Sequence, residues 1–208
     1  MKISKIQYIT PQYQNEDYFN ALEKLIDAGI DWIQIRVKET DEHLWLDIAK
    51  RAVSLCKQYN VICIVNDNPT IALQSEAHGV HLGKNDMSPR EARKILGDTV
   101  IIGGTANNFE DIQLLVQQGV NYIGLGPFRF TTTKKNLSPL LGIEGYKTII
   151  ENCKANNITT PIIAIGGITG NDIQTILETG VYGFAFSGYI ANAVDKKLLI
   201  ESLKKVLA

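Results

Sequence analysis

LLVQQGVNYIGLG (114–126) and ILETGVYGFAFSG (176–188) follow one plan: the end of an amphipathic helix, a glycine, a short loop, a buried β-rich run and a closing glycine. Each reads as a helix leading into a strand, and the same unit can be traced outward along the chain. Short β-rich runs recur at Ile3 to Ile9, Trp32 to Val37, Val61 to Val65, Gly79 to Leu82, Val100 to Ile102, Tyr122 to Leu125, Ile162 to Ile165 and Phe184 to Phe186. Helical patterns separate them. In YFNALEKLIDAG (18–29), Leu22, Leu25 and Ile26 share a face and Gly29 stops the helix; LWLDIAKRAVSLCKQYN (44–60) follows the second strand. Eight such units in 208 residues meet the lower size limit of a (β/α)8 TIM barrel. An open doubly wound sheet usually has fewer strands and an early GxGxxG, which is absent here. With no linker or low-complexity tract, residues 1–208 are expected to form one α/β domain.

Composition narrows the function. Apolar residues make up 45% of the chain, and 21 Lys and Arg against 22 Asp and Glu leave a net charge of −1. Area scaling lets about 70% of the surface be buried. There is no basic excess for a nucleic-acid backbone, and no apolar run approaches the ~18 residues of a membrane span. Small-molecule partners remain, with a homo-oligomer left open. The N-terminus, MKISKIQYIT, lacks a long apolar stretch and a small-residue cleavage site, so a cytoplasmic protein is expected. Cys56, Cys63 and Cys153 are odd in number and widely spaced, as suits reduced core thiols. His43, His78 and His81 form no metal pattern and receive no role.

The strand ends carry the chemistry. In WIQIRVKE (32–39) the strand period puts Ile33, Ile35 and Val37 on one face and Gln34, Arg36 and Lys38 on the other. In a barrel the polar set faces inward, where two cations need an anion. Alone, the segment fits a solvent-facing edge strand equally well. Asn66-Asp67 after strand three and Asp86 after strand four add two carboxylates on adjacent loops, hard ligands that suit Mg²⁺. Taken singly, each Asp is more often a cap or turn former. Strand five ends in Gly103-Gly104-Thr105, strand seven in Gly166-Gly167, and strand eight in Ser187-Gly188 before YIANA, a candidate half-turn helix. The loops after strands seven and eight form the phosphate site of many barrels. The longest connection, Gly126 to Gly142, is a candidate active-site loop. Together these give two anion sites, one cationic with a metal and one of backbone N–H groups, for a diphosphate and a monophosphate.

QIRVK (34–38), ND (66–67), GVHLGKND (79–86), GGT (103–105), YIGLGPFRFTTTK (122–134), IAIGGI (163–168) and FSG (186–188) stand in an order that resembles the thiamine phosphate synthase family across nearly the whole chain. The resemblance implies a Mg²⁺-dependent transferase of thiamine biosynthesis. It would couple 4-amino-5-hydroxymethyl-2-methylpyrimidine diphosphate with a thiazole monophosphate and release pyrophosphate. It implies a dissociative reaction, in which C–O cleavage leaves a pyrimidine methyl cation that the thiazole nitrogen captures. By position, Asp67 and Asp86 match the metal ligands, and Arg36, Lys38, Asn66 and Lys134 match pyrophosphate and pyrimidine contacts, with Gln34 facing the pyrimidine. Thr131, Thr133, Gly167, Phe186 and Ser187 match positions lining the thiazole phosphate, and Thr105 lies near the reacting centre, so Arg36, Lys38, Thr105 and Lys134 are the catalytic candidates. The family usually has Ser at Thr105, a basic residue at Asn68 and Pro at Phe130, and Arg129 is unusual. Three other readings stand beside this one. A thiazole tautomerase would have a histidine near Asn107 in place of the metal and pyrophosphate residues. A non-catalytic phosphate-binding barrel would not need the paired aspartates. A sugar-phosphate isomerase would need an acid and base facing one carbon, and no such pair is evident.

Overall fold

Eight parallel strands close on themselves in chain order: β1 (Ile6–Ile9), β2 (Trp32–Ile35), β3 (Ile62–Asn66), β4 (Gly79–Leu82), β5 (Ile101–Ala106), β6 (Tyr122–Leu125), β7 (Ile162–Ile165) and β8 (Gly183–Phe186), with β8 pairing back to β1. The computed structural model describes residues 3–15, 17–130 and 139–208. Around the barrel lie α1 (Asp17–Asp27), α2 (Glu42–Gln58), α3 (Pro69–Gln74), α4 (Pro89–Leu96), α5 (Phe109–Gln117), α6 (Gly142–Ala155), α7 (Gly170–Leu177), a single-turn α8 (Gly188–Ala191) and α9 (Lys196–Leu207). This is the (β/α)8 barrel expected from the repeated unit, and α8 is the half-turn helix expected after strand eight. Among the described residues, no helix is long and apolar enough to cross a membrane.

Strand alternation sorts each strand into two environments. The outward residues Ile33, Ile35, Val65, Val80, Leu82, Ile123 and Leu125 pack in one cluster with helix residues such as Leu22, Ile48, Ala52 and Ile112. The inward residues Trp32, Ile62, Ile64, Ile101, Tyr122 and Ile163 form a second cluster that fills the barrel. Trp32 and Tyr122 meet edge to face with ring centroids 4.9 Å apart. Burying each such side chain contributes about 1.5–3 kcal/mol before entropy is counted. Two positions further along the same strands the inward residues turn polar: Gln34 after Trp32, Asn66 after Ile64, and Thr105 two beyond Gly103. The barrel therefore has an apolar floor and a polar layer above it.

Several boundaries differ from the sequence reading. β5 runs on to Ala106, past the β-rich run that stops at Ile102, and takes in the Gly103-Gly104-Thr105 that ends it: Gly103 pairs with both His81 and Tyr122, and Thr105 pairs with Gly124. Glycine has poor strand propensity, which hid these residues. They are glycine for space, because a Cβ on Gly103 would lie 2.2 Å from Tyr122 Cζ and one on Gly104 would lie 2.4 Å from Leu115 Cδ2. β1 starts at Ile6 instead of Ile3, and β2 ends at Ile35, so Arg36 and Lys38 stand just past the strand. All three cysteines are buried free thiols, as expected.

Candidate active site

The C-terminal ends of the strands open into one cavity of about 1730 Å³. Gln34, Arg36, Lys38, Asn66, Asp67, Asp86, Thr105, Gly167, Phe186 and Ser187 all border it. Thr131, Thr133 and Lys134 lie outside the described residues.

On one side of the mouth the chain after β2 is tied to the chain after β1. Thr10 Oγ1 accepts the Arg36 N–H at 2.9 Å. The Gln12 side chain grips the Lys38 backbone at both ends, its Nε2 donating to the carbonyl at 2.7 Å and its Oε1 accepting the N–H at 2.9 Å. The two cations are thus held at the mouth although the strand has ended. The Lys38 ammonium pairs with the Asp67 carboxylate. Asp67 itself sits at φ 67°, a left-handed conformation that Asp tolerates better than most residues, with its N–H bonded to the His81 carbonyl. Asp86 accepts the Gly83 N–H at 2.6 Å. Burial, and then the Asp67 carboxylate beside it, push the Asp86 carboxyl above its ordinary range, against the pull of the Gly83 N–H and Lys38. A cation placed between two carboxylates that repel in this way would relieve the repulsion. Among the described residues no cluster of three metal-ligand side chains exists, so a hard cation here would complete its shell with substrate oxygens and water. Asn68, where a basic residue was expected, caps α3 by accepting the Ile71 N–H at 3.0 Å.

Across the mouth, Gly166 (φ 99°) and Gly167 (φ 69°) take left-handed conformations that only glycine adopts at little strain. A Cβ on either would strike Pro127 or Arg129. Ser187 begins the turn into α8, and Tyr189 of that helix and Asn192, just past its end, also border the cavity. The Phe186 ring packs outward against Phe184 and Tyr189, so by strand alternation it presents backbone to the cavity. Arg129 forms a two-pronged bond to Asp172 at 2.8 and 2.6 Å, which accounts for an arginine at that position. Pro127 and Phe128 carbonyls accept the Leu141 and Gly142 N–H groups, each at 3.0 Å, closing the base of the long connection at the mouth.

The sequence reading gave His81 no role, yet it borders the cavity and bonds Thr105 Oγ1 at 2.9 Å through Nε2. The signal was present in GVHL: the period of two puts His81 on the inward face with Gly79 and Gly83. Gln34 is 2% exposed and its Nε2 has no hydrogen-bond partner among the described residues. A buried amide donor left open beside a cavity points to a ligand acceptor.

A sequence profile of the family described as thiamine monophosphate synthase matches residues 6–190. The chain belongs to that family. It is 49% identical to the thiamine-phosphate synthase of Flavobacterium johnsoniae, over 98% of this chain and 96% of the relative. It is 46% identical to that of Bacteroides fragilis, over 97% and 98%. Among solved structures, thiamine phosphate pyrophosphorylase from Pyrococcus furiosus superposes with a TM-score of 0.82 at 28% identity, covering 98% of this chain and 95% of that one. As a member of the thiamine monophosphate synthase family, the chain is a transferase of the thiamine-phosphate synthase type.

Proposed function

We propose that the protein joins 4-amino-5-hydroxymethyl-2-methylpyrimidine diphosphate to a thiazole monophosphate, forming thiamine phosphate and pyrophosphate with Mg²⁺ as cofactor. One observation carries this reading: a single cavity holds paired carboxylates beside two cations on one wall and a left-handed glycine pair with the α8 turn on the other. A diphosphate fits the first wall and a monophosphate the second.

Asp67 and Asp86 would hold Mg²⁺, which when bound neutralises charge on the diphosphate oxygens. Arg36 and Lys38 stabilise the same charge as it grows on the leaving group. Asn66 adds an amide contact, and Gln34 Nε2 donates to an acceptor on the pyrimidine. The C–O bond breaks with its electron pair going to pyrophosphate, and the pyrimidine ring stabilises the methyl cation left behind. The thiazole nitrogen then donates its lone pair to form the C–N bond. No base is needed, so the protein's task is charge stabilisation and alignment. Thr105 borders the reacting centre, and Gly167, the Phe186 backbone and Ser187 hold the thiazole phosphate. Lys134, Thr131 and Thr133 are assigned to the same two phosphate groups by the resemblance. Asn107, where a tautomerase would have its histidine, donates its side-chain N–H to the Gly126 carbonyl and brings no titrating group.

The test is to mix the purified protein with both substrates, with and without Mg²⁺, and follow pyrophosphate and thiamine phosphate together. Mg²⁺-dependent formation of both is expected. Thiazole phosphate binding with neither product formed would overturn the reading.

A further inference from the structure

Below the cavity, four polar side chains from four different strands form one line. Gln7 Nε2 lies 3.2 Å from the Tyr122 hydroxyl, that hydroxyl lies 3.0 Å from His81 Nδ1, and His81 Nε2 lies 2.9 Å from Thr105 Oγ1. Gln7, Tyr122 and His81 are buried, and Thr105 borders the cavity. Glycines make room for the line. A Cβ on Gly103 would overlap the Tyr122 ring, and one on Gly124 would come within 3.2 Å of His81 Cε1.

A hydroxyl carries one proton, and a neutral imidazole is a donor at one nitrogen and an acceptor at the other. The line therefore runs in one of two senses. In the first, the Gln7 amide donates to the Tyr122 oxygen, the Tyr122 O–H donates to Nδ1, and Nε2–H donates to Thr105. The Thr105 proton is then left for the cavity. In the second, Thr105 gives its proton to Nε2, and the cavity meets only the lone pairs of Oγ1.

Two observations select the first sense. First, the Gln7 amide nitrogen can only donate, so its N–H fills one site on the Tyr122 oxygen, and burial pushes the Tyr122 phenol strongly up and keeps its own proton in place. The acceptor that the structure offers to that proton is His81 Nδ1 at 3.0 Å. Second, the cavity gathers Arg36 and Lys38 for an anion, and an oxygen presenting only lone pairs would repel that anion.

We propose that Tyr122 is a positioning residue that, through His81, fixes Thr105 as a hydrogen-bond donor toward the anionic reacting group. This rests on the coupling reaction proposed above. The second nitrogen's partner sets the tautomer of a histidine, as Tyr122 does here. His81 Nε2–H is thereby spent on Thr105 and does not itself face the substrate through that nitrogen.

The tautomer can be read directly. In ¹⁵N-histidine-labelled protein at pH 8, long-range ¹H–¹⁵N spectra distinguish Nε2–H from Nδ1–H. His43→Gln removes the exposed histidine, leaving His78 and His81. His78 serves as internal control, because its Nδ1 accepts the Cys63 N–H at 3.1 Å and its proton must lie on Nε2. Two Nε2–H imidazoles are expected, and one Nδ1–H imidazole would overturn the proposal without any change to the line itself. In Tyr122→Phe the Nδ1–H form of His81 should appear, kcat should fall about tenfold, and the KM for each substrate should stay within about threefold. An unchanged kcat in Tyr122→Phe would refute the positioning role. The tautomer is read on the ligand-free parent fold, so it stands or falls separately from the coupling assay.

Discussion

Gly103→Ala tests whether the barrel interior is built around Tyr122. An ideal Cβ at that position lies 2.2 Å from Tyr122 Cζ and 2.6 Å from its hydroxyl oxygen, where ordinary carbon contacts fall near 3.5 Å. The ring would have to move by about 1.3 Å. That exceeds what its hydrogen bonds to His81 and Gln7, at 3.0 and 3.2 Å, can follow, so both are lost. Overpacking costs about 1–3 kcal/mol, and each lost bond about 1 kcal/mol more. The sum, about 3–5 kcal/mol, corresponds to a Tm lowered by about 6–20 °C in a chain of this size. Thermal unfolding followed by circular dichroism measures it. Gly124→Ala is the control: its Cβ would sit 3.2 Å from His81 Cε1, a gap closed by a few tenths of an ångström, and it should cost less than about 1.5 kcal/mol. In a Tyr122→Ala background Gly103→Ala should add less than about 1 kcal/mol, because the clash partner is gone. A single Gly103→Ala variant melting within about 3 °C of the parent would refute the reasoning.

Asp67→Asn should lower turnover about a hundredfold while leaving thiazole phosphate binding unchanged in calorimetry, and unaltered Mg²⁺ dependence would contradict its assignment. Gln12→Leu, which frees both ends of the Lys38 backbone, should lower kcat/KM several-fold with Tm within about 3 °C, since Gln12 is exposed. At Asp172 burial pushes the carboxyl up, but the Arg129 guanidinium and the Thr169 N–H and hydroxyl outweigh it and hold the group below its ordinary range. A lowered carboxyl stabilises the fold above the unfolded carboxylate pKa and loses that contribution as pH falls through the folded value. Denaturant unfolding of Asp172→Asn against the parent should therefore show a gap of about 0.5–1 kcal/mol at pH 7, reduced for an exposed partner, that shrinks as pH falls from about 5 to 3.

The sequence made the architecture legible because the helix, glycine, strand unit repeats with little variation, and each strand is apolar enough to mark itself. Its failures were local and share a cause. Gly103 and Gly104 are strand residues whose lack of side chain serves Tyr122 and Leu115, partners 11 or more positions away in sequence. His81 looked like a stray polar residue because its partners, Tyr122 and Thr105, come from other strands. Gln7 was invisible for the same reason. By contrast Arg36, Lys38, Asp67, Asp86 and Gly167 were readable, because position at a strand end is a local property and charge or glycine there needs a reason. Gln12 escaped notice because its role, standing in for a strand neighbour, is made with the backbone of Lys38 and leaves no pattern in residue type.

The apolar floor beneath the polar layer also gives the barrel, among the described residues, a closed end. Among the described residues, Trp32, Tyr122, Ile62 and Ile101 fill the end away from the cavity, so in the proposed coupling reaction both substrates and both products would pass through the mouth at the strand ends. The first molecule to enter lies behind the second, and the last to enter must leave first unless the two stand side by side. If the two walls hold a diphosphate and a monophosphate as proposed, the pair would sit side by side across that mouth, and traffic need not queue.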